Sequence, residues 1–199
     1  MSEIVRTKDA LEHLTPYQQG MQIEEVKKQF NLNKIVKLAS NENPFGYPPK
    51  VKQYLKTKDF NLDIYPDGHA SVIREVLANR LHVSQDQLVF GSGSDELIAI
   101  IARTYLTPQS NTIMATPTFP QYKHHAIIEG AQVIEVPVTE TGAHDLEGML
   151  DAVTAETRVI WLCTPNNPTG NALEYNQFID FMNRCPKDVL VVLDEAYYE

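Results

Sequence analysis

The chain has 199 residues, of which 43% are hydrophobic and 22% are charged, a balance that is typical of a globular protein and excludes a disordered one. Its formal net charge of -9 argues against non-specific binding to nucleic acid or to an anionic membrane surface. The first residues lack the apolar core of a signal peptide, and no stretch is apolar over the length that a bilayer requires, so we predict a cytoplasmic protein. Only two cysteines occur, Cys163 and Cys185, and the histidines show no ligand spacing, so neither a disulfide framework nor a metal site is expected.

The first 40 residues differ in pattern from the rest of the chain. They carry one isolated helical pattern, from Ile23 to Phe30, and no alternation of strands with helices. We therefore predict that residues 1–40 form an arm that packs on a partner subunit or belongs to a second, smaller domain. Residues 41–199 are then the main domain.

From residue 87 onward, short apolar runs alternate with longer helical patterns. Because the apolar runs show no polar face, they predict a largely parallel sheet that is covered by helices on both sides, an α/β fold. The predicted strands are 87–90, 112–115, 132–138, 158–163 and 189–194, and the predicted helices are 97–105, 118–129, 145–153 and 173–184.

The last predicted strand would be an interior strand of such a sheet, yet the sequence ends shortly after it. Its neighbours on the far side would have to come from further sequence. We therefore expect the domain to be truncated at its C-terminal side.

Ligands of open α/β sheets bind at the carboxyl ends of the strands, where three features of this sequence fall. The first is Gly91-Ser92-Gly93-Ser94-Asp95-Glu96, which precedes a predicted helix. Its glycines and exposed N–H groups suit a phosphate, while the simpler interpretation is a flexible turn with Ser94 as the helix N-cap. A dinucleotide-binding fingerprint is disfavoured, because Glu96 stands where its third glycine should be.

The second feature is Asp194, which ends an apolar strand and is followed by Tyr197. A poorly solvated carboxylate needs a partner, and the protonated ring nitrogen of pyridoxal phosphate would supply one. Tyr197 could present its phenol to the ring oxygen of the same ligand. The alternative is an aspartate that only caps the following segment.

The third feature is the loop Asn166-Asn167-Pro168-Thr169-Gly170. An asparagine amide in this loop could donate to the same ring oxygen. Taken alone, the loop is better explained as a turn rich in turn-forming residues.

Six motifs, taken in their order along the chain, resemble those of the fold-type-I aminotransferases, which depend on pyridoxal phosphate, and most closely those of the histidinol-phosphate aminotransferases. The resemblance implies that residues 41–199 are the three-layer large domain of that fold, with a mostly parallel sheet. It also implies that the complete protein is a homodimer that transaminates L-histidinol phosphate with 2-oxoglutarate in histidine biosynthesis. The motifs are Asn41–Gly46, Tyr65–Gly68, Gly91–Glu96, Pro117–Phe119, Pro165–Gly170 and Asp194–Tyr197.

The same resemblance implies a set of cofactor contacts. The backbone N–H groups of Ser94, Asp95 and Glu96 would hold the cofactor phosphate. Phe119 would stack on the pyridine ring, where many family members have tyrosine. Tyr65 would reach the cofactor phosphate of the partner subunit.

The resemblance assigns the catalytic roles in this chain to Asp194, which would pair with the ring nitrogen, and to Tyr197. Asn167 and Tyr197 would hydrogen-bond the ring oxygen, and the peptide bond between Asn167 and Pro168 is expected to be cis. Tyr17, Asn43 and Asn167 would contact the substrate.

One departure from the family pattern is the lysine that forms a Schiff base with the cofactor. The family carries it in a Ser-x-x-Lys segment after Asp-Glu-Ala-Tyr, and every lysine of this chain precedes Asp194. The sequence therefore leaves three alternatives open: an aromatic amino-acid aminotransferase, a related decarboxylase of threonine phosphate, or a non-catalytic fragment that only binds the cofactor.

Overall fold

The computed structural model of the protein describes residues 7–15 and 21–198. Contacts divide the chain into two units, one formed by Met1–Leu14 with Asp86–Glu199 and the other by Thr15–Gln85. Residues 41–85 thus group with the helix at Ile23–Phe30 and not with the sheet. The predicted division after residue 40 concerns the domains of the complete protein and stays a prediction.

The larger unit is built on a four-stranded sheet in which every neighbouring pair is parallel, in the order β2-β1-β3-β4. The strands are β1 (Asn111–Thr116), β2 (Gln132–Pro137), β3 (Thr157–Cys163) and β4 (Leu190–Asp194). All four were predicted from the sequence. The predicted strand at 87–90 is wrong, since residues 85–87 form a 3-10 helix and residues 88–90 lie outside the sheet. An apolar run alone does not distinguish a strand from a segment that forms no hydrogen-bonded pairing with a neighbouring strand.

Helices cover both faces of this sheet, as the strand pattern predicts. Side chains alternate along β3, so that Val159, Trp161 and Cys163 pack on one side, while Ile160 and Leu162 pack on the other. The first side is covered by α4 (Ser94–Tyr105) and α5 (Gln121–Ile128), and the second by α6 (Leu146–Asp151) and α7 (Tyr175–Arg184).

In the smaller unit, Thr15–Gln85, the described residues 21–85 contain three α-helices. The first, α1 (Ile23–Phe30), has the predicted bounds, and Asn31 ends it in the left-handed conformation with φ of 52°. The sequence patterns did not single out α2 (Pro49–Thr57) or α3 (Ser71–Leu81). A proline at the first position of α2 was an available signal, because proline suits the start of a helix.

Trp161 forms a buried polar contact inside the sheet unit. Its Nε1 donates a hydrogen bond to Oγ1 of Thr112 at 2.8 Å, and this hydroxyl donates to the carbonyl of Val159 at 2.8 Å. Both Trp161 and Thr112 have 0% of their surface exposed. The hydroxyl therefore satisfies an indole N–H that water cannot reach.

Replacing Thr112 with valine should leave this indole N–H without an acceptor. We expect Thr112→Val to lower the free energy of unfolding by about 1–3 kcal/mol, measured by equilibrium urea unfolding. Thr104→Val, which removes an exposed hydroxyl on α4, is the matched control and should change it by less than about 0.5 kcal/mol. Equal effects of the two variants would contradict this assignment.

Candidate active site

A small pocket of about 40 Å³ lies where β3 and β4 end and α4 begins. The last residues of the two strands, Cys163 and Asp194, are register partners, and the carbonyl of Asp194 accepts a hydrogen bond from the N–H of Thr164 at 2.8 Å. The pocket contains five of the predicted site residues. Its lining consists of Ser94, Phe119, Cys163, Asn167, Asp194, Ala196 and Tyr197.

Asp194 is the last residue of β4, and both of its carboxylate oxygens accept hydrogen bonds. Oδ2 accepts from the phenol of Tyr122 at 2.6 Å, and Oδ1 accepts from the N–H of Ala196 at 3.0 Å. The second bond shows that Asp194 does cap the turn that follows it. The first bond comes from a different element, α5, so capping does not account for the whole arrangement of this carboxylate.

Tyr122 is a residue that the sequence reasoning missed. It is fully buried, and its ring stacks on Trp161 with 4.9 Å between centroids and 11° between planes. Burial, together with the hydrogen bond to Asp194, raises the pKa of Tyr122 well above its usual value, so the phenol stays protonated. A signal was present in the sequence, since Tyr122 follows Phe119 by three residues and shares a helix face with buried Ala126. A buried phenol needs an acceptor.

Asn167 and Tyr197 come together at the rim of the pocket. Nδ2 of Asn167 donates to the Tyr197 hydroxyl at 3.2 Å, and 40% of Tyr197 is exposed. The peptide bond before Pro168 is cis, which confirms the expectation for this loop. Two polar side chains that are 30 residues apart in the chain therefore meet at the rim of the pocket.

The loop that carries Asn167 is held by its buried neighbour Asn166, which is only 2% exposed. Oδ1 of Asn166 accepts from Oγ1 of Thr118 at 2.7 Å, while Nδ2 donates to the carbonyl of Pro117 at 3.1 Å and to Oγ1 of Thr169 at 2.9 Å. The loop is thus fixed to the segment that precedes α5. Asn166 and Thr169 in this loop therefore serve to fix it in place, in addition to forming a turn.

For Gly91–Glu96, the simpler interpretation made Ser94 the N-cap of the following helix, and this is wrong. Gly93 is the N-cap, with φ of 84°, and Ser94 is the first helical residue of α4. Gly93 has no side chain that could accept from the N–H groups of the first turn, as a serine cap would. The positive end of the helix dipole lies at the same place, so the first turn of α4 suits an anion.

Two acidic side chains follow Gly93 in this first turn, and both turn to other partners. The carboxylate of Glu96 accepts a hydrogen bond from the N–H of Ser92. Oδ1 of Asp95 lies 3.5 Å from Nε2 of His125 on α5. These contacts account for two carboxylates in a turn that is predicted to bind a phosphate.

Two other predicted site residues, Asn43 and Tyr65, are not among those that line this pocket. Asn43 and Tyr65 belong to the smaller unit, and Tyr17 is outside the described residues. The Asn43 amide serves its own turn, with Oδ1 accepting from the N–H of Phe45 at 3.0 Å and Nδ2 donating to the carbonyl of Gly46 at 3.0 Å. Tyr65 is 97% exposed. The roles of these three residues stay predictions.

His144 is a buried histidine behind the end of β3. Its Nε2 lies 2.8 Å from the carbonyl oxygen of Cys163, and since a carbonyl can only accept, we assign the hydrogen to Nε2. Burial lowers the pKa of His144 from 6.5, although the bond to Cys163 opposes this shift. In the unfolded chain the imidazole takes up its proton near pH 6.5, so the unfolded state binds more protons at acidic pH.

The free energy of unfolding should therefore fall as the pH drops below 6.5 toward the lower pKa of folded His144. We expect His144→Gln, in which an amide N–H replaces Nε2–H, to reduce this loss between pH 8 and pH 5.5, measured by urea unfolding. His82→Asn at an exposed, left-handed helix end is the control and should leave the pH dependence as in the parent. A pH dependence that survives unchanged in His144→Gln would contradict the assignment.

Within residues 7–15 and 21–198, no cluster of three or more histidine, cysteine, aspartate or glutamate side chains is arranged to hold a metal ion. In the same ranges, none of the helices has both the length and the apolar character needed to cross a bilayer.

Comparison with known proteins extends what the geometry indicates. Residues 33–199 match the family model "Aminotransferase class I and II". Histidinol-phosphate aminotransferase of Bacillus velezensis is 53% identical over 195 residues, which cover 98% of this chain and 54% of that protein. Histidinol-phosphate aminotransferase 2 of Oceanobacillus iheyensis is 50% identical over 192 residues, which cover 96% of this chain and 53% of that protein. The chain thus spans about half the length of the curated relatives that it matches.

A solved structure confirms the predicted fold class. The histidinol-phosphate aminotransferase of Sinorhizobium meliloti, crystallised in complex with pyridoxal 5'-phosphate, superposes with a TM-score of 0.87 at 26% identity. The match covers 99% of this chain and 52% of that structure. The parallel sheet with helices on both faces is therefore part of a fold-type-I large domain, and the chain belongs to the family of class I and II aminotransferases.

Proposed function

We propose that the complete protein transfers an amino group between L-histidinol phosphate and 2-oxoglutarate, with pyridoxal 5'-phosphate as cofactor, in the biosynthesis of histidine. The observation that carries this proposal is the 53% identity, over 98% of the chain, to a histidinol-phosphate aminotransferase. The side chains that converge at the ends of β3 and β4 support it.

The residues of the pocket fit this cofactor. Asp194 offers a carboxylate to a protonated ring nitrogen, Phe119 offers an aromatic face, and Asn167 and Tyr197 offer hydrogen-bond donors to a ring oxygen. The first turn of α4, from Ser94, offers backbone N–H groups to a phosphate. When bound, pyridoxal phosphate supplies an electron sink for carbanion chemistry at the amino-acid carbon.

The chain's own residues would make that sink effective. Asp194 would hold a proton on the ring nitrogen, because its negative charge stabilises the protonated form. Asn167 and Tyr197 would donate to the ring oxygen, and Phe119 would exclude water from one face of the ring. The N–H groups of Ser94, Asp95 and Glu96 would anchor the phosphate and so fix the distance of the ring from Asp194.

The proposal extends to the assembly and its substrates. Tyr65 would reach the cofactor phosphate of a partner subunit, which requires a homodimer. Tyr17, Asn43 and Asn167 would contact the amino donor. We further propose a cytoplasmic enzyme that acts on small molecules and has neither a nucleic-acid nor a membrane partner.

The test is the substrate preference of the full-length protein. With 2-oxoglutarate as acceptor, we expect kcat/KM for L-histidinol phosphate to exceed that for L-phenylalanine or L-tyrosine by at least about tenfold, since charge-assisted hydrogen bonds to the phosphate are lost with the aromatic donors. A preference for phenylalanine or tyrosine would instead make the protein an aromatic amino-acid aminotransferase.

A further inference from the structure

Tyr122 is placed to control the carboxylate at the centre of the pocket. Its phenol donates to Oδ2 of Asp194 at 2.6 Å, the shorter of the two hydrogen bonds that this carboxylate accepts. The tyrosine comes from α5 and the aspartate from the end of β4, so the bond joins two elements at the sheet edge where the pocket opens.

The ring of Tyr122 is itself held on two sides. It stacks on Trp161 at 4.9 Å, and Phe119 meets it edge to face with 5.7 Å between centroids and 80° between planes. Trp161 is in turn fixed by its hydrogen bond to Thr112. The Tyr122 ring is therefore anchored to the sheet through its stack on Trp161 and through the hydrogen bond from Trp161 to Thr112. It cannot rotate away without disrupting the core.

In the hydrogen bond between Tyr122 and Asp194, the phenol is the donor and the carboxylate is the acceptor. The hydroxyl of Tyr122 stays protonated, because burial and the bond to Asp194 raise its pKa. At neutral pH it therefore acts as a donor to Asp194. A carboxylate that keeps a fixed donor on each oxygen has a restricted orientation and still has lone pairs for a further partner.

We propose that Tyr122 is a positioning residue, which orients the carboxylate of Asp194 toward the cofactor ring and joins it to the ring-stacking residue Phe119. This inference rests on the proposed function, since it takes Asp194 as the partner of the pyridine nitrogen. Tyr122 acts through Asp194 and does not itself contact substrate.

The test uses the full-length holoprotein and Tyr122→Phe, which keeps the ring and removes the hydroxyl. We expect the dissociation constant for pyridoxal phosphate to rise by about tenfold or more, because one charge-assisted hydrogen bond is lost. The pH midpoint of the visible absorption band of the bound cofactor should also shift. We expect kcat to fall, while KM for the amino donor stays within about twofold.

Tyr105→Phe is the matched control, because it removes the same hydroxyl from an exposed tyrosine at the C-terminal end of α4. It should leave the cofactor affinity and the pH midpoint as in the parent. Unchanged cofactor affinity and pH midpoint in Tyr122→Phe would overturn the proposal, and so would equal changes in Tyr105→Phe.

Two further variants test the same point, even if Tyr122→Phe is not recovered in folded form. Tyr122→His keeps a ring N–H donor, whereas Tyr122→Leu keeps only apolar volume. The histidine variant should bind pyridoxal phosphate more tightly than the leucine variant, and the reverse order would contradict the proposal. These readouts are independent of the amino donor, so a protein that prefers phenylalanine would refute the proposed substrate without refuting the role of Tyr122.

Discussion

Replacing Asp194 with asparagine is expected to lower kcat of the full-length protein by about a hundredfold to a thousandfold, the range seen when one preorganised electrostatic contact is removed from an active site. Asparagine keeps the shape of the side chain, and its single oxygen can accept from the N–H of Ala196 while its NH2 group donates to the Tyr122 hydroxyl. It lacks the negative charge that would hold a proton on the cofactor ring nitrogen. The loss should therefore appear in kcat and in the absorption spectrum of the bound cofactor more than in protein stability.

Asp188→Asn provides the control for this experiment. Asp188 is an exposed carboxylate at the opposite end of the same strand, since it precedes β4 while Asp194 ends it. Its replacement removes the same charge and should leave kcat and the spectrum as in the parent. If Asp194→Asn retained more than about a tenth of the parental kcat, Asp194 would not have the central role assigned to it.

Replacing Gly93 with alanine is expected to weaken the binding of pyridoxal phosphate by about tenfold to a hundredfold. Gly93 precedes the first helical residue of α4 and has φ of 84° and ψ of 176°. A residue with a Cβ adopts this conformation only at a cost of about 1–3 kcal/mol. A Cβ at this position meets nothing within 4 Å, so the expected effect comes from the backbone and not from crowding.

The measured quantity is the dissociation constant for pyridoxal phosphate in the full-length protein. Gly68→Ala is the control, because a Cβ there also meets nothing within 4 Å, while φ of Gly68 lies outside the left-handed region. It should leave the dissociation constant within about twofold of the parental value. Equal affinities in the parent and in Gly93→Ala would show that the N-terminus of α4 does not hold the cofactor phosphate.

Much of the sheet unit could be predicted from the sequence, because its central strands β1 and β3 are buried on both faces and lack an exposed polar face. All four observed strands were predicted, and so were the helices α1, α4, α5, α6 and α7. The strand predicted at 87–90 is wrong because an apolar run can also lie outside a sheet, as these residues do. The helices α2 and α3 were missed, although α2 carries the signal of a proline at its first position.

In the candidate site, residues within a local sequence motif could be predicted, whereas a contact between residues far apart in the chain could not. Asp194, Asn167 and Phe119 each follow a strand or a loop whose pattern is visible in the sequence, and the structure places all three around one pocket. Tyr122 was missed because its partner Asp194 is 72 residues away, and no local pattern pairs a tyrosine on a helix with a carboxylate on a strand. The choice of Gly93 over Ser94 as N-cap likewise depends on a backbone angle.

We propose that the pocket between Phe119, Asn167 and Asp194 holds pyridoxal phosphate. The most direct test is a crystal structure of the full-length protein with the cofactor bound. We expect the ring nitrogen to lie within hydrogen-bond distance of the Asp194 carboxylate, about 2.7–3.2 Å, with the ring against Phe119 and the phosphate at the N–H groups of Ser94 and Asp95. A cofactor bound elsewhere, or a ring nitrogen without contact to Asp194, would contradict the claim.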